Sequence, residues 1–398
     1  MKSILLTFLI ISLILFSCER ERQSDSYEDY IVEITSPVYG DTVSGILKVE
    51  ANADPVADSL IFAFEGRSIN KVPYEEEHAY FDPTDFIDTQ KSISVTAFWE
   101  DYSKSHIVDI FIDEYDCDSL QDIILNDIII PRERLTFDSS GCLIELDLSE
   151  MSLMSPLALR GLSNYCLKLK SLDLSSNELN SLDFTELEAC LNLKYIYLSE
   201  NSLSDFDFGD IYLCHNLKFF GLMNNNVHNI NTDKISELEN LSWLYLDGND
   251  IENIDLSGIA GNDSFEILSL KNNSISEIDL SFIENCPHMS QLLLESNELT
   301  ELDISAFEGH TSVERISFSR NNITAFDLSP LQGNNTLKYL YFEQNQISHL
   351  DLSPIMENES LTELIIYDND LNSESCNSVC EFENLHPDCH VASDCDCR

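Results

Sequence analysis

Positive charge is scarce in this sequence: 21 Lys and Arg stand against 72 Asp and Glu in 398 residues, a formal net charge of −51. A chain this acidic repels polyanions, which excludes electrostatically driven binding to DNA, RNA or an anionic membrane surface. Beyond the N-terminus there is also no apolar run of the roughly 20 residues that a membrane-spanning helix needs. Catalytic motifs are missing as well. There is no GxSxG, HExxH or P-loop, and the nine histidines are scattered through turns and caps. An enzyme is therefore the weakest reading, and no cofactor is implied. What is present is a folded composition, 43% hydrophobic and 10% aromatic, long enough for two or three domains. Twelve cysteines in so acidic a chain point to an oxidising compartment.

Residues 1–17 read as a secretory signal: Lys2, an apolar stretch from Ile4 to Phe16, then LFSC at 15–18. The LFSC segment resembles the bacterial lipobox. That resemblance implies that Cys18 is lipidated and begins the mature chain, whose membrane hold then comes from acyl burial at about 0.8 kcal/mol per CH₂. Residues 18–29 form a short polar tether. Acidic residues just after the lipid cysteine resemble those of surface-exported lipoproteins in some Gram-negative groups. The expected address is the outer membrane, at the cell surface or facing the periplasm.

Over 30–116 the pattern changes to period-two runs: YIVEIT at 30–35, GILKVEA at 45–51, SLIFAFE at 59–65, SISVTAFW at 92–99 and HIVDIFID at 106–113. These are strands, and the turns between them suit a sandwich of roughly seven. Ile31, Ile34, Val43, Leu47 and Val49 are expected in its core. The opening ITSPVYGDTVSG resembles the first hairpin of bacterial Ig-like modules, without a cysteine pair or tryptophan signature behind it. Position along the chain favours a spacer over a ligand-binding sandwich.

The rest of the chain is governed by one repeat. Leu169, Leu193, Leu217, Leu241, Phe265, Met289, Val313, Leu337 and Leu361 each open the phrase L-x-x-L-x-L-x-x-N-x-L, at a constant interval of 24 residues. LKSLDLSSNEL at 169–179 and LKYLYFEQNQI at 337–347 are examples; a degenerate first copy, LIELDLSEMSL at 143–153, has Met151 in place of the Asn. The phrase resembles the leucine-rich repeat family, in about ten copies over 143–371. With the N-terminal strands, the whole resembles a bacterial leucine-rich repeat surface lipoprotein. The implied fold is an α/β solenoid, a horseshoe with a parallel β-sheet on its concave face, preceded by an all-β Ig-like sandwich.

Counting from each opening residue, apolar positions 4 and 6 alternate with variable positions 3, 5 and 7, which is a short strand with one buried face. Position 9 is Asn177, Asn201, Asn225, Asn249, Asn273, Asn297, Asn321, Asn345 and Asn369. An amide ladder for ligands is one reading. The family pattern instead puts this Asn inside a turn, where it satisfies backbone groups that would each cost about 1–3 kcal/mol if buried unpaired. Ser281 with Glu284, Ser305 with Glu308 and Thr185 with Glu188 fit capping boxes of short helical turns. Asp183, Asp207, Asp255, Asp279, Asp303, Asp327 and Asp351 form an acidic column, read as solvated or turn-capping in preference to calcium-binding.

Cys166, Cys190, Cys214 and Cys286 recur in equivalent places and read as buried, inert thiols. Cys117 and Cys142 are candidates for stapling an N-terminal cap at 117–142, since the end of a solenoid needs cover. Cys376, Cys380, Cys389, Cys395 and Cys397 in the tail 372–398 are disulfide candidates for a C-terminal cap, with a zinc site using His386 and His390 as the alternative. Five is an odd number, so one thiol stays free or pairs elsewhere.

The variable positions carry the functional signal. Tyr195, Tyr197, Phe219, Trp243 and Tyr245 fall on consecutive copies and form the candidate binding centre, with Met223 beside them and Tyr339, Tyr341 and Tyr367 further along. Exposed aromatics are what interfaces use as anchors. Lys170, Lys194, Lys218, Lys271, Lys338, Arg315 and Arg320 place a third of the 21 basic residues on the same strands. The expected work is binding a protein partner through the concave face, as a receptor or adhesin does. A polysaccharide stacked on the aromatic rings is the second reading, and mutual packing of the rings the bland one.

Overall fold

The computed structural model describes residues 31–36, 42–43, 47–54, 59–64, 67–73, 78–81, 89–99, 102–112, 123–125, 128–155 and 157–397. The signal, Cys18, the tether and Cys117 lie outside them. No helix among the described residues is long and apolar enough to cross a membrane.

The N-terminal strands form two sheets. One orders Ile31–Ser36, Leu47–Asp54 and His78–Phe81; the other orders Thr42–Val43, Tyr102–Ile112, Thr89–Trp99, Ser59–Phe64 and Arg67–Pro73. Alternate side chains are buried, as the pleat requires: Val32 and Ile34, then Val49, Ala51 and Ala53, then Leu60 with Phe62 and Val95 with Ala97. Val32 joins Ile34 on the inward face, a residue the sequence pattern had not singled out. The side chains of Ile31, Val43 and Leu47 lie outside the described residues.

From Leu135 onward one sheet of 12 strands runs through the chain. Its first pair, Leu135–Phe137 with Leu143–Asp147, is antiparallel, and every later pair is parallel. Ten strands come from the repeats; Leu135–Phe137 precedes them and His390–Ala392 follows them in the sheet. At about 4.8 Å per strand the sheet extends for roughly 53 Å. Each regular strand is three residues long, and its middle residue points inward: Leu172, Ile196, Phe220, Leu244, Leu268, Leu292, Ile316, Leu340 and Leu364 are all fully buried. Three residues suffice because each strand is held on both sides by identical neighbours.

The turn after each strand reverses the chain through a residue with positive φ, between 52° and 66° at Ser176, Glu200, Asn224, Gly248, Asn272, Ser296, Arg320, Gln344 and Asp368. At Gly248 the Asn224 side chain occupies the space that a side chain would take. A Cβ on Gly248 would lie 2.3 Å from Asn224 Oδ1.

The Asn that follows ties neighbouring copies together. Asn249 Nδ2 donates to Leu246 O at 3.0 Å and to Leu222 O of the preceding copy at 2.9 Å, while its Oδ1 accepts from Val227 N at 3.0 Å. The same three bonds recur from Asn201 to Asn369. At the degenerate copy, where Met151 replaces the Asn, Asn177 compensates: its Oδ1 accepts from both Met151 N at 3.0 Å and Leu153 N at 2.9 Å.

The strands return through 3₁₀ turns such as Thr185–Ala189, Ser281–Asn285 and Ser305–Phe307. The expected capping boxes do not form. These turns begin at Thr185, Ser281 and Ser305 themselves, one residue earlier than a capping box requires, so the N-cap places fall on Phe184, Leu280 and Ile304, which have no side-chain acceptor. The acidic column caps them instead. Asp183, Asp207, Asp255, Asp279, Asp303, Asp327 and Asp351 each accept the backbone N–H two residues on, at 2.7–3.1 Å. An Asx turn reaches that N–H with less chain to order than a glutamate three residues later. Among the described residues no group of three or more His, Cys, Asp or Glu is placed to hold a metal ion.

Both ends of the core are covered. Ile123, Leu125 and Ile130, from the hairpin Ile123–Leu125 and Ile128–Ile130, join the core cluster at one end. Cys142 nearby is disulfide-bonded. At the other end the α-helix Ser373–Leu385 buries Val379 and Phe382 in that cluster. Its Ser375 and Ser378 hydroxyls accept the N–H groups of Leu350 at 2.8 Å and Leu352 at 3.2 Å. Disulfides Cys376–Cys395 and Cys380–Cys397 pin the helix to the tail.

Two cysteine expectations change. Cys166 and Cys190 form a disulfide, their Cα atoms 4.6 Å apart, because equivalent places in successive copies lie side by side. Cys389 is the odd thiol of the tail: it is free and half-buried, not disulfide-bonded. With the other four tail cysteines oxidised, the zinc alternative has no thiolates left except Cys389.

Replacing Asn249 with Ala orphans Leu222 O, Leu246 O and Val227 N, and is expected to lower stability by roughly 3–5 kcal/mol, read as a lower midpoint in urea unfolding. Burial and nearby Glu363 push the Cys389 thiol up to about 11, so alkylation of the native protein at neutral pH should be slow at Cys389 and become fast on unfolding. Peptide mass mapping checks this together with the two tail disulfides; a disulfide containing Cys389 contradicts it.

Candidate functional site

Every regular strand presents positions 3 and 5 on the side of the sheet away from the core, and position 7 at its edge. Parallel pairing puts equal positions in columns: Tyr195, Phe219, Trp243 and Ile267 lie beside one another at position 3, and Tyr197, Gly221, Tyr245 and Ser269 at position 5. Tyr195, Tyr197, Phe219, Trp243 and Tyr245 are brought together on this face, each half-buried. Tyr339 and Tyr341 lie on the same face, four strands further on.

The aromatic group is built around a glycine. A Cβ at Gly221 would stand 2.8 Å from the Phe219 ring. The ring of Phe219 therefore lies across the place that a position 5 side chain would occupy. From there it meets Tyr197 at 4.6 Å and Tyr245 at 5.6 Å between ring centroids. Two tyrosines and a phenylalanine thus make a continuous column over three strands, edged by Tyr195 and Trp243. Trp243 Nε1 donates to Glu266 Oε2 at 3.1 Å, which fixes the indole. Burial, and then neighbouring carboxylates, hold the Tyr197 and Tyr245 phenols above their ordinary range, so both stay neutral donors. These rings do pack on one another, as the bland reading holds, and still leave part of each ring exposed.

A polar trough follows. Ser269 and Ser317 at position 5 are small and buried, and position 7 carries Asp247, Lys271 and Glu295 in sequence. Asp247 Oδ1 accepts from the Ser269 hydroxyl at 2.5 Å and from Lys271 N at 2.8 Å. Lys271 Nζ stands 3.6 Å from Glu295 Oε1. Burial outweighs these contacts and raises both Asp247 and Glu295 above the usual carboxylate range.

Beyond the trough Arg315 lies over two rings, its guanidinium carbon 4.4 Å from the Tyr339 centroid and 5.4 Å from that of Tyr341. The Tyr341 hydroxyl donates to Glu363 Oε2. Burial and that bond hold the phenol well above its ordinary range. The stacking of Arg315 on Tyr339 and Tyr341 was not legible as a pair of motifs. It follows from two positions 24 residues apart becoming neighbours.

A separate groove of about 1590 Å³ runs along the turn side, bordered by Asp255, Asp279, Asp303 and Asp327. Amide and then hydroxyl hydrogen bonds from the serine two residues on hold Asp279 and Asp303 below the usual range; for Asp255 and Asp327 the hydroxyl leads. This column serves the turns.

Models of the leucine-rich repeat match residues 239–299 and 168–190. A leucine-rich repeat protein of Leptospira interrogans is 21% identical over 58% of this chain and 62% of its own, with a TM-score of 0.47. The internalin InlF of Listeria monocytogenes is 20% identical over 68% of this chain and 86% of its own, with a TM-score of 0.46. The leucine-rich ectodomain of the Arabidopsis receptor kinase HAESA, solved with a peptide hormone ligand, is 23% identical over 62% of this chain and 43% of its own, with a TM-score of 0.52. This chain thus spans less than two thirds of the Leptospira protein and less than half of HAESA. No curated protein sequence matches it. The chain carries leucine-rich repeats in a solenoid with a long parallel sheet.

Because the folded state raises Asp247, its ionised form weakens the fold above that raised value. The penalty disappears as pH falls and the folded protein takes up the proton. Asp247→Asn keeps an acceptor for Ser269 and Lys271 and removes the charge. It is expected to raise the melting temperature at pH 7 by a few degrees, with the two proteins converging near pH 4; thermal scans from pH 4 to 8 check this.

Proposed function

We propose that this chain is an exported, lipid-anchored leucine-rich repeat protein that binds a protein partner across the exposed face of its long sheet. The observation that carries the reading is the ring column Tyr197, Phe219 and Tyr245 with Trp243 at its edge: large, rigid, half-exposed aromatics on adjacent strands. Rings held in place by their neighbours lose little freedom on binding, which is why interfaces concentrate energy in such groups. Ile267 and Ile365, both half-exposed, share the face and suit the side chains of a protein better than the hydroxyls of a sugar.

Disulfides at the tail favour an oxidising compartment outside the cytoplasm. The anchor is Cys18, the 18–29 segment its tether, and the 30–116 strands an Ig-like spacer; residues 117–142 and 372–398 are the caps of the repeats at 143–371.

The test is affinity capture of extracted proteins and of arrayed polysaccharides, with the wild type and with a Trp243→Ala, Tyr245→Ala variant. We expect protein capture that falls at least tenfold in the variant, about 1.4 kcal/mol, at unchanged circular dichroism. Capture insensitive to the two substitutions overturns the site, and a sensitive polysaccharide hit replaces the protein partner with a glycan.

A further inference from the structure

We propose that Arg315 is the anchor for a carboxylate carried by a peptide segment of the partner; this rests on the reading of the sheet face as the binding surface. The argument begins from what surrounds the guanidinium. In a chain with 72 acidic residues against 21 basic ones, a cation in the middle of a sheet is expected to find an internal carboxylate. Arg315 has none among the described residues.

The nearby carboxylates are all engaged elsewhere. Glu314 pairs with Lys338 at 3.0 Å, and Glu295 faces Lys271 at 3.6 Å. Glu343 accepts from the Ser319 hydroxyl at 2.6 Å, and Glu363 accepts from the Tyr341 hydroxyl. Arg315 and Lys271 are the cations that the described regular strands place at positions 3, 5 and 7, and Lys271 already faces Glu295.

The fork is nevertheless held in place. Tyr339 and Tyr341 flank it, with the guanidinium carbon 4.4 and 5.4 Å from their ring centroids, cation–π contacts that use the charge without consuming an N–H donor. A guanidinium set against rings, with no carboxylate on its N–H donors, matches an incoming carboxylate bidentately. Gln291, in register with Arg315 on the preceding strand, is half-buried on the same column and adds an amide. The side chains around the subsite are apolar as well as aromatic, with Leu293 in register with Ser317 on one side and Ile365 in register with Tyr341 on the other. A peptide carboxylate flanked by apolar side chains fits that setting, and a uronic acid glycan leaves those apolar groups without partners.

The probe is an array of random hexapeptides, made once with free C-terminal acids and once with C-terminal amides, and screened with the full chain. We expect retained peptides to share one carboxylate: an acidic side chain if the preference holds on both arrays, the chain terminus if it holds only on free acids. Arg315→Gln should weaken the selected peptides roughly ten- to a hundredfold and erase the acidic preference, while Arg315→Lys, which keeps the charge without the stacked fork, should fall in between. Selection of the same peptides by Arg315→Gln at equal affinity overturns the anchor. So does an array without acidic preference, and so does a preference for polygalacturonate over every peptide. The Trp243→Ala, Tyr245→Ala variant separates the two readings: peptides lost there but kept by Arg315→Gln refute the anchor alone, and peptides lost by Arg315→Gln but indifferent to that variant refute the aromatic centre alone.

Discussion

The structure depends on one repeated set of hydrogen bonds, those of the asparagine at position 9. A strand of three residues leaves most of its backbone polar groups beyond the ladder, inside a turn that the next copy covers. Left unpaired, they would cost more than the short strand returns in burial. One primary amide, with two donors and an acceptor, answers a carbonyl of its own copy and a carbonyl and an N–H of the preceding one. No other short side chain has that combination. The interval is thereby locked: an inserted residue would move the asparagine away from the groups it serves.

That lock explains how the ends are made. The first asparagine has no regular copy behind it and spends both lone pairs on Met151 and Leu153. After the last copy the helix Ser373–Leu385 buries Val379 and Phe382 against the core, and its serine hydroxyls accept the N–H groups of Leu350 and Leu352. A solenoid cannot stop without such substitutes, because each copy's core face is finished by its neighbour.

The parts legible in the sequence are those that repeat. The strand, its buried residue and the asparagine turn are stated nine times over, so one copy's ambiguity is resolved by the others. The parts that were not legible are contacts between copies, where the partner is 22 to 27 residues distant and no local motif marks it. Gly221 reads as a gap in the aromatic row until the Phe219 ring is seen to fill it. Cys166 and Cys190 read as two small core residues until the pitch brings them together. The serine-glutamate pairs looked like caps by spacing alone, but the 3₁₀ turns are so short that the aspartate two residues ahead reaches the N–H first. The odd tail thiol could not be chosen from sequence, since helix geometry decides which cysteines face the chain end.

Acidity itself is distributed by the same logic. The carboxylates of the turn column sit in water and bond to serine, where ionisation helps the fold. Those of the trough, Asp247 and Glu295, are partly withdrawn from water and resist ionisation despite Lys271 between them. A fold stabilised by buried leucines and asparagines has no use for such groups, and the same position in other copies holds serine, methionine, lysine, tyrosine or, once more, glutamate. Their placement beside the aromatic column is therefore a property of the exposed face, not of the scaffold. The scaffold constrains positions 1, 4, 6 and 9 tightly and leaves 3, 5 and 7 free, so whatever chemistry accumulates at those three has been admitted without cost to the core. In this chain what accumulates there is rings, aliphatic and small residues, a few carboxylates with one lysine among them, and a single guanidinium set against two tyrosine rings.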